Sequence, residues 1–191
     1  NTIGRIVYFH HSPYTTEAFH WQQSETTWVR QHLRKVFNNV ALAMGKSPKI
    51  SLPIVDLVLS GHSHCLEHLK TLPSAQGDGG IDWVVCGGGG LSVRRQRKGE
   101  ADILENVFQK GRRQTKVVAR SHKFVGRHGH GRKEQVFHSF IRVDVRPCQA
   151  QKIVVSPFVV TNINGKWQTK ELSPLDIGTT TAAQRYELAK L

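Results

Sequence analysis

Several things are scarce in this sequence of 191 residues. It has no run of eighteen apolar residues, so no membrane-spanning helix is expected. It opens with NTIGRIVYFHH, without an initiating Met and without the basic and apolar regions of a signal peptide. That opening enters a strand almost at once, as though a leader had been removed or the chain were a piece of a longer protein. The three cysteines, Cys65, Cys86 and Cys148, are odd in number and lack CxxC spacing. A disulfide scaffold is therefore not expected, and a reducing compartment is mildly favoured. Internal repeats are absent. Acidic residues are few, 14 against 27 Lys and Arg, for a net charge of +13.

The charge is unevenly placed. Residues 94–133 hold thirteen Lys and Arg against Glu100, Asp102 and Glu105. Few aromatics interleave with them, only Phe108 and Phe124, so stacking on single-stranded bases is not suggested. Nucleic-acid binding through phosphate contacts is possible but not favoured. Steering of anionic substrates is a further reading. The favoured one is a solvated loop or insertion over about 92–135, with a weakly helical island at 101–108.

The remaining pattern is that of one α/β domain with a real core. A short strand over 5–8 is stopped by Ser12 and Pro13. Apolar residues recur at three and four over 24–44, predicting an amphipathic helix with Ser24 as N-cap and Gly45 and Pro48 as its stop. Residues 53–60 and 81–86 read as buried strands, the second running into Gly87–Gly90. Beyond 135 the chain alternates with period two. Asn164-Gly165 marks a hairpin between strands over 152–161 and 166–172. The antiparallel region thus ends near 172, and 173–191 is a tail.

The histidines carry the chemical signal. The stretch VDLVLSGHSHCLEH ends a strand with His62 and His64, two residues apart and so on one side of an extended chain. Gly61 permits a sharp turn there. A second pair, His10 and His11, follows the strand RIVYF. Ligand sites in α/β sheets collect at the carboxyl ends of strands. If the two strands are neighbours, His11 converges with His62 and His64, and neutral imidazoles suit Zn, Fe, Co, Ni and Cu. His10 is expected to point to the opposite side from His11. His32, His122, His128, His130 and His138 read as surface residues, and Cys65 as core. GDGGID at 77–82 reads as a turn before a strand. Gly87–Gly90 is either backbone near a phosphate or a tight turn with close packing.

VDLVLSGHSHCLEH resembles the GHxH motif of the calcineurin-like metallophosphoesterases, in the form GHxHxYER seen in purple acid phosphatases. FHHSPY matches their HxP motif, and VVCGGGG their Gly-rich strand end. The resemblance covers about the first ninety residues. Leu66 and His68 stand where the family has Tyr and Arg, whereas Glu67 is kept. The DxH, GDxxD and GNH(D/E) motifs are absent. The resemblance therefore implies the C-terminal half of a layered α/β/β/α sandwich, spanning 1–172, whose carboxylate-bearing half lies upstream. It implies a phosphoester hydrolase with two metal ions, of Fe, Zn or Mn. His64 would bind the first metal, and His62 and His11 the second. His20, nine residues after His11, would contact the substrate phosphate or assist the leaving group. Two other readings stand beside this one. His11, His62 and His64 could form a mononuclear three-His zinc site with one open position. Alternatively, the chain is a basic nucleic-acid-binding module with a structural HxH. The metallo-β-lactamase pattern HxHxDH is not met, because Leu66 stands where its Asp belongs.

Overall fold

The computed structural model describes residues 4–45, 53–74, 76–90, 92–99, 101–109, 111–147 and 153–178. The fold is mixed α/β and mostly β. Strand β1 (Ile6–Phe9) runs parallel to β2 (Leu57–Ser60), with Phe9 opposite Ser60. Between them in sequence comes helix α1 (Ser24–Ala43). Strand β3 (Leu66–Thr71) is antiparallel to β4 (Asp82–Cys86), which is itself parallel to β2. Strands β5 (Asp102–Gln109) and β6 (Arg112–Val125) form a long hairpin that completes a six-stranded sheet of order β1-β2-β4-β3-β6-β5. A small ribbon pairs β7 (Arg127–His128) with β8 (Gln135–Val136). Strands β9 (His138–Val145), β10 (Ile153–Ile163) and β11 (Lys166–Glu171) form an antiparallel sheet.

The period-two alternation of β2 and β4 explains how the sheet is clad. Val58, Trp83 and Val85 pack with Phe37 and Ala41 of α1 in one core cluster. Leu57 and Val84, on the other side of the pleat, pack with Ile153 and Val155 of β10 and with Leu175 and Ile177 in a second cluster. Both faces of the central strands are buried, which is why their sequences read as continuous apolar runs. Among the described residues no helix is long and apolar enough to cross a membrane.

The helix and the Asn164-Gly165 hairpin match the sequence pattern. Asn164 and Gly165 both have positive φ, 50° and 80°, as a type I′ turn requires. The helix start differs in detail. Its N-cap is Gln23, with no side-chain cap. Instead Thr26 Oγ1 donates to the His20 carbonyl at 2.9 Å, tying the first turn to the preceding loop. The stop expected at Pro48, the Cys148 thiol and the tail beyond 178 lie outside the described residues.

The basic segment is the main correction. Asp102–Gln109 and Arg112–Val125 are strands and not a loop, and the expected helical island is strand β5. Several of the segment's charges are placed on partners. Arg120 pairs with Asp102, and Glu105 receives Arg30 at 2.6 Å and Arg34 at 2.7 Å from α1. Arg34 also holds Asp78, which accepts from the buried Tyr14 hydroxyl. This network fastens the helix to the sheet edge and to the loop after β1, where Arg30 Nε donates to the Pro13 carbonyl at 2.8 Å.

Asp82, 1% exposed, is a second anchor. It accepts from His68 at 2.9 Å and from the Gly178 amide at 2.9 Å, with Lys70 3.6 Å away. The chain after β11 is thereby closed over the second core cluster. Asp82→Ala leaves these donors buried or facing an apolar gap. A loss of about 3 kcal/mol in urea unfolding is expected, with faster amide exchange at Leu175 and Ile177.

Candidate metal centre

Parallel strands β1, β2 and β4 end side by side, so the segments His10–Pro13, Gly61–His64 and Gly87–Gly90 emerge at one edge. Their backbones are tied together. The Gly61 amide donates to the His10 carbonyl at 3.0 Å, and Ser12 Oγ to the Gly61 carbonyl at 2.5 Å. A Cβ on Gly87 would collide with the Ser63 carbonyl, so that glycine permits the close approach of the two strand ends.

His62 is the hub of the resulting cluster. Its ring centroid lies 4.4 Å from His11, 4.5 Å from His20 and 5.1 Å from His10. His20 in turn lies 5.9 Å from His64. All four expected site residues, His11, His20, His62 and His64, are brought together. His10 joins them and does not point away from His11. The strand ends at Phe9 and the chain bends at His10 and His11, so period-two alternation stops one residue too early to separate the rings. His62 Nδ1 and His10 Nε2 are 3.3 Å apart.

The turn itself is also placed differently. His62, not Gly61, has positive φ, at 60°. Side chains other than Gly enter this region at a cost of roughly 1–2 kcal/mol, and here the strain aims an imidazole at its neighbours.

Each outer ring is held by its own acceptor. His64 Nδ1 is 3.0 Å from the Ser92 carbonyl, which selects the Nδ1–H tautomer and leaves Nε2 as the lone-pair nitrogen. His20 Nδ1 is hydrogen-bonded to Glu17, a fully buried carboxylate that also accepts the Phe19 amide at 2.8 Å and the His20 amide at 3.2 Å. Glu17 escaped the sequence reading, although its three-residue spacing from His20 was visible. The loop bearing it is clamped by Glu67, also fully buried, which accepts Thr15 Oγ1 at 2.8 Å and the Thr16 amide at 2.9 Å. Burial raises the pKa of Glu67, and these donors together with Ser121 oppose the rise.

His62 differs from the outer rings. Its Nε2 is shielded from solvent and has no hydrogen-bond partner. An unpaired buried polar atom costs roughly 1–3 kcal/mol. Burial, then the neighbouring His20, His11 and His10, lower its pKa and keep the ring neutral. A neutral imidazole with an unused lone pair is the form that binds a metal. Among the described residues, however, no group of three or more His, Cys, Asp or Glu is arranged ready to hold a metal ion.

The other expectations fall out simply. His32, His122, His128 and His130 are exposed, and His138 is half-buried near Trp167. His68 belongs to the Asp82 anchor and not to the cluster. Cys65 is core, its pKa raised by burial. GDGGID is a turn, but Asp78 and Asp82 within it are both buried anchors. No family model, curated protein or solved structure matches this chain.

Because position 62 is left-handed, glycine suits it better than alanine. His62→Gly is expected to be more stable than His62→Ala by about 1 kcal/mol in urea unfolding. Equal stabilities would mean that the backbone relaxes and that the strain is not intrinsic to the turn.

Proposed function

We propose that this chain carries the imidazole half of a dinuclear metal centre that hydrolyses phosphoesters, within the layered α/β/β/α architecture of the calcineurin-like metallophosphoesterases. The observation that carries this reading is the cluster around His62 at the carboxyl ends of β1 and β2, with a neutral ring and a buried, unpartnered Nε2. The GHxH and HxP residues occupy neighbouring strand ends, as the resemblance requires.

In this reading His64 would hold one metal and His62 and His11 the other. Such ions, when bound, would make water a competent nucleophile at neutral pH and polarise a phosphoryl group. The chain's own residues set the rest. Ser92 and Glu17 fix the orientations of His64 and His20, as carbonyl and carboxylate partners of metal-site imidazoles commonly do. With Nδ1 held by Glu17, Nε2 is the His20 ring nitrogen left to contact the phosphate or the leaving-group oxygen. Pairs of nearby cations repel strongly, and bridging carboxylates hold them together. Those carboxylates would come from a further segment of the domain that completes the centre. One edge of the six-stranded sheet is β1, where Tyr8 is 82% exposed, and that edge offers a place for a further segment to pair.

The test is elemental analysis of the purified chain after incubation with Zn²⁺, Mn²⁺ or Fe, with an aryl phosphate assay alongside. At most one tightly bound ion per chain and slow hydrolysis are expected, with binding lost in His62→Ala. Wild-type protein that binds no metal would sink the proposal. Two bound metals with robust turnover would show that the carboxylate half is not needed. One bound zinc with a different hydrolytic activity would favour the mononuclear three-His site.

A further inference from the structure

Beside the imidazole cluster lies a cavity of about 580 Å³, within the size range of small-molecule sites. Its walls include Glu17, Phe19, Ser92, Arg94, Arg95 and Arg127. Two of these residues are shared with the cluster, since Glu17 holds His20 and Ser92 holds His64. The cavity therefore opens directly next to the imidazole cluster.

The three guanidinium groups are not equivalent. Arg95 and Arg127 both pair with Glu134, and each also donates to a backbone carbonyl. Arg94 lies over the Phe19 ring, 4.8 Å from its centroid, and its Nε is buried with no hydrogen-bond partner. Its backbone is fixed on both sides. The Arg94 amide donates to the His64 carbonyl at 2.8 Å, and its carbonyl accepts the Arg127 amide at 2.9 Å. A Cβ on Gly126 would collide with that carbonyl, so the strand ends are closely packed here too. A guanidinium carried on a fixed backbone and lying over Phe19, with an unsatisfied donor in a cavity with surplus positive charge, lacks an anion.

The geometry points to a substrate with two phosphoryl groups. Resting on the phosphoesterase reading, we propose that the scissile phosphoryl sits at the imidazole cluster while an adjoining one is bound by Arg94. The planar fork of a guanidinium matches phosphoryl oxygens in pairs, which an ammonium does not. A phosphomonoester whose remainder is neutral leaves Arg94 unused. A diphosphate held at the cluster has its second phosphoryl available to the cavity that shares Glu17 and Ser92 with it.

The test needs no metal. The EDTA-treated chain is titrated with inorganic pyrophosphate, orthophosphate or phosphonoacetate at constant ionic strength, and the Arg94 Nε–H and the Phe19 and Val93 amides are followed by NMR. Pyrophosphate is expected to saturate these signals at a concentration about tenfold below orthophosphate, the Phe19 and Val93 shifts being lost in Arg94→Gln and weakened in Arg94→Lys. His62→Ala should keep the preference, so failure of the metal reading and failure of this one are separable. Equal saturation by pyrophosphate and orthophosphate would overturn the proposal, as would amide shifts that persist in Arg94→Gln. Phosphonoacetate binding as tightly as pyrophosphate would overturn the phosphoryl assignment by showing that the cavity reads charge alone.

Discussion

The buried carboxylate of Glu67 is the constraint on which the site depends. It lies on β3, three residues after His64, and receives the hydroxyl of Thr15 and the amide and hydroxyl of Thr16. A charge-capable group with no solvent exposure is expensive unless its oxygens are filled, and here loop donors fill them. That requirement ties the loop after β1 to the strand after the GHSH turn. Thr16 in turn accepts from Gln96 and Arg97, which brings the start of the basic segment alongside. Glu17, the next residue, is then placed to hold His20. One carboxylate thus sets the relative position of both histidine motifs and of the arginine-lined cavity.

The site is built from opposed costs. A left-handed backbone at His62 and an unpaired buried nitrogen are both unfavourable, and burial together with the neighbouring imidazoles penalises protonation of His62. The scaffold around them is correspondingly well bonded. Tyr14, Arg30, Arg34, Asp78 and Glu105 lock the loop and helix to the sheet, and Asp82 closes the other side. Strain concentrated in one ring and satisfaction elsewhere is the pattern expected of a binding centre.

Legibility in the sequence followed the strength of periodicity. Helix α1, the apolar core of β2 and the type I′ hairpin were readable because burial or turn chemistry dictated their residues. The β5–β6 hairpin was not, because the outer part of β6, residues 112–116, is exposed on both faces and needs no apolar alternation. Strand β3 was missed because its polar residues Glu67 and His68 are buried through partners distant in sequence. The approach of His11 to His62 was legible from neighbouring strand ends, whereas His20 was expected only through the family resemblance. The place of His10 depended on a bend that alternation does not encode, and Glu17 sat in a loop with no repeating pattern.

The central claim is that His62 lies at the heart of a metal-binding cluster. Its most direct measurement is an anomalous-difference map from crystals of the chain grown with zinc. The account predicts a peak about 2.0–2.1 Å from a ring nitrogen of His62, with at least one of His10, His11, His20 or His64 in the same coordination shell. Zinc found only at the exposed His128 and His130, with no density in the cluster, would contradict it.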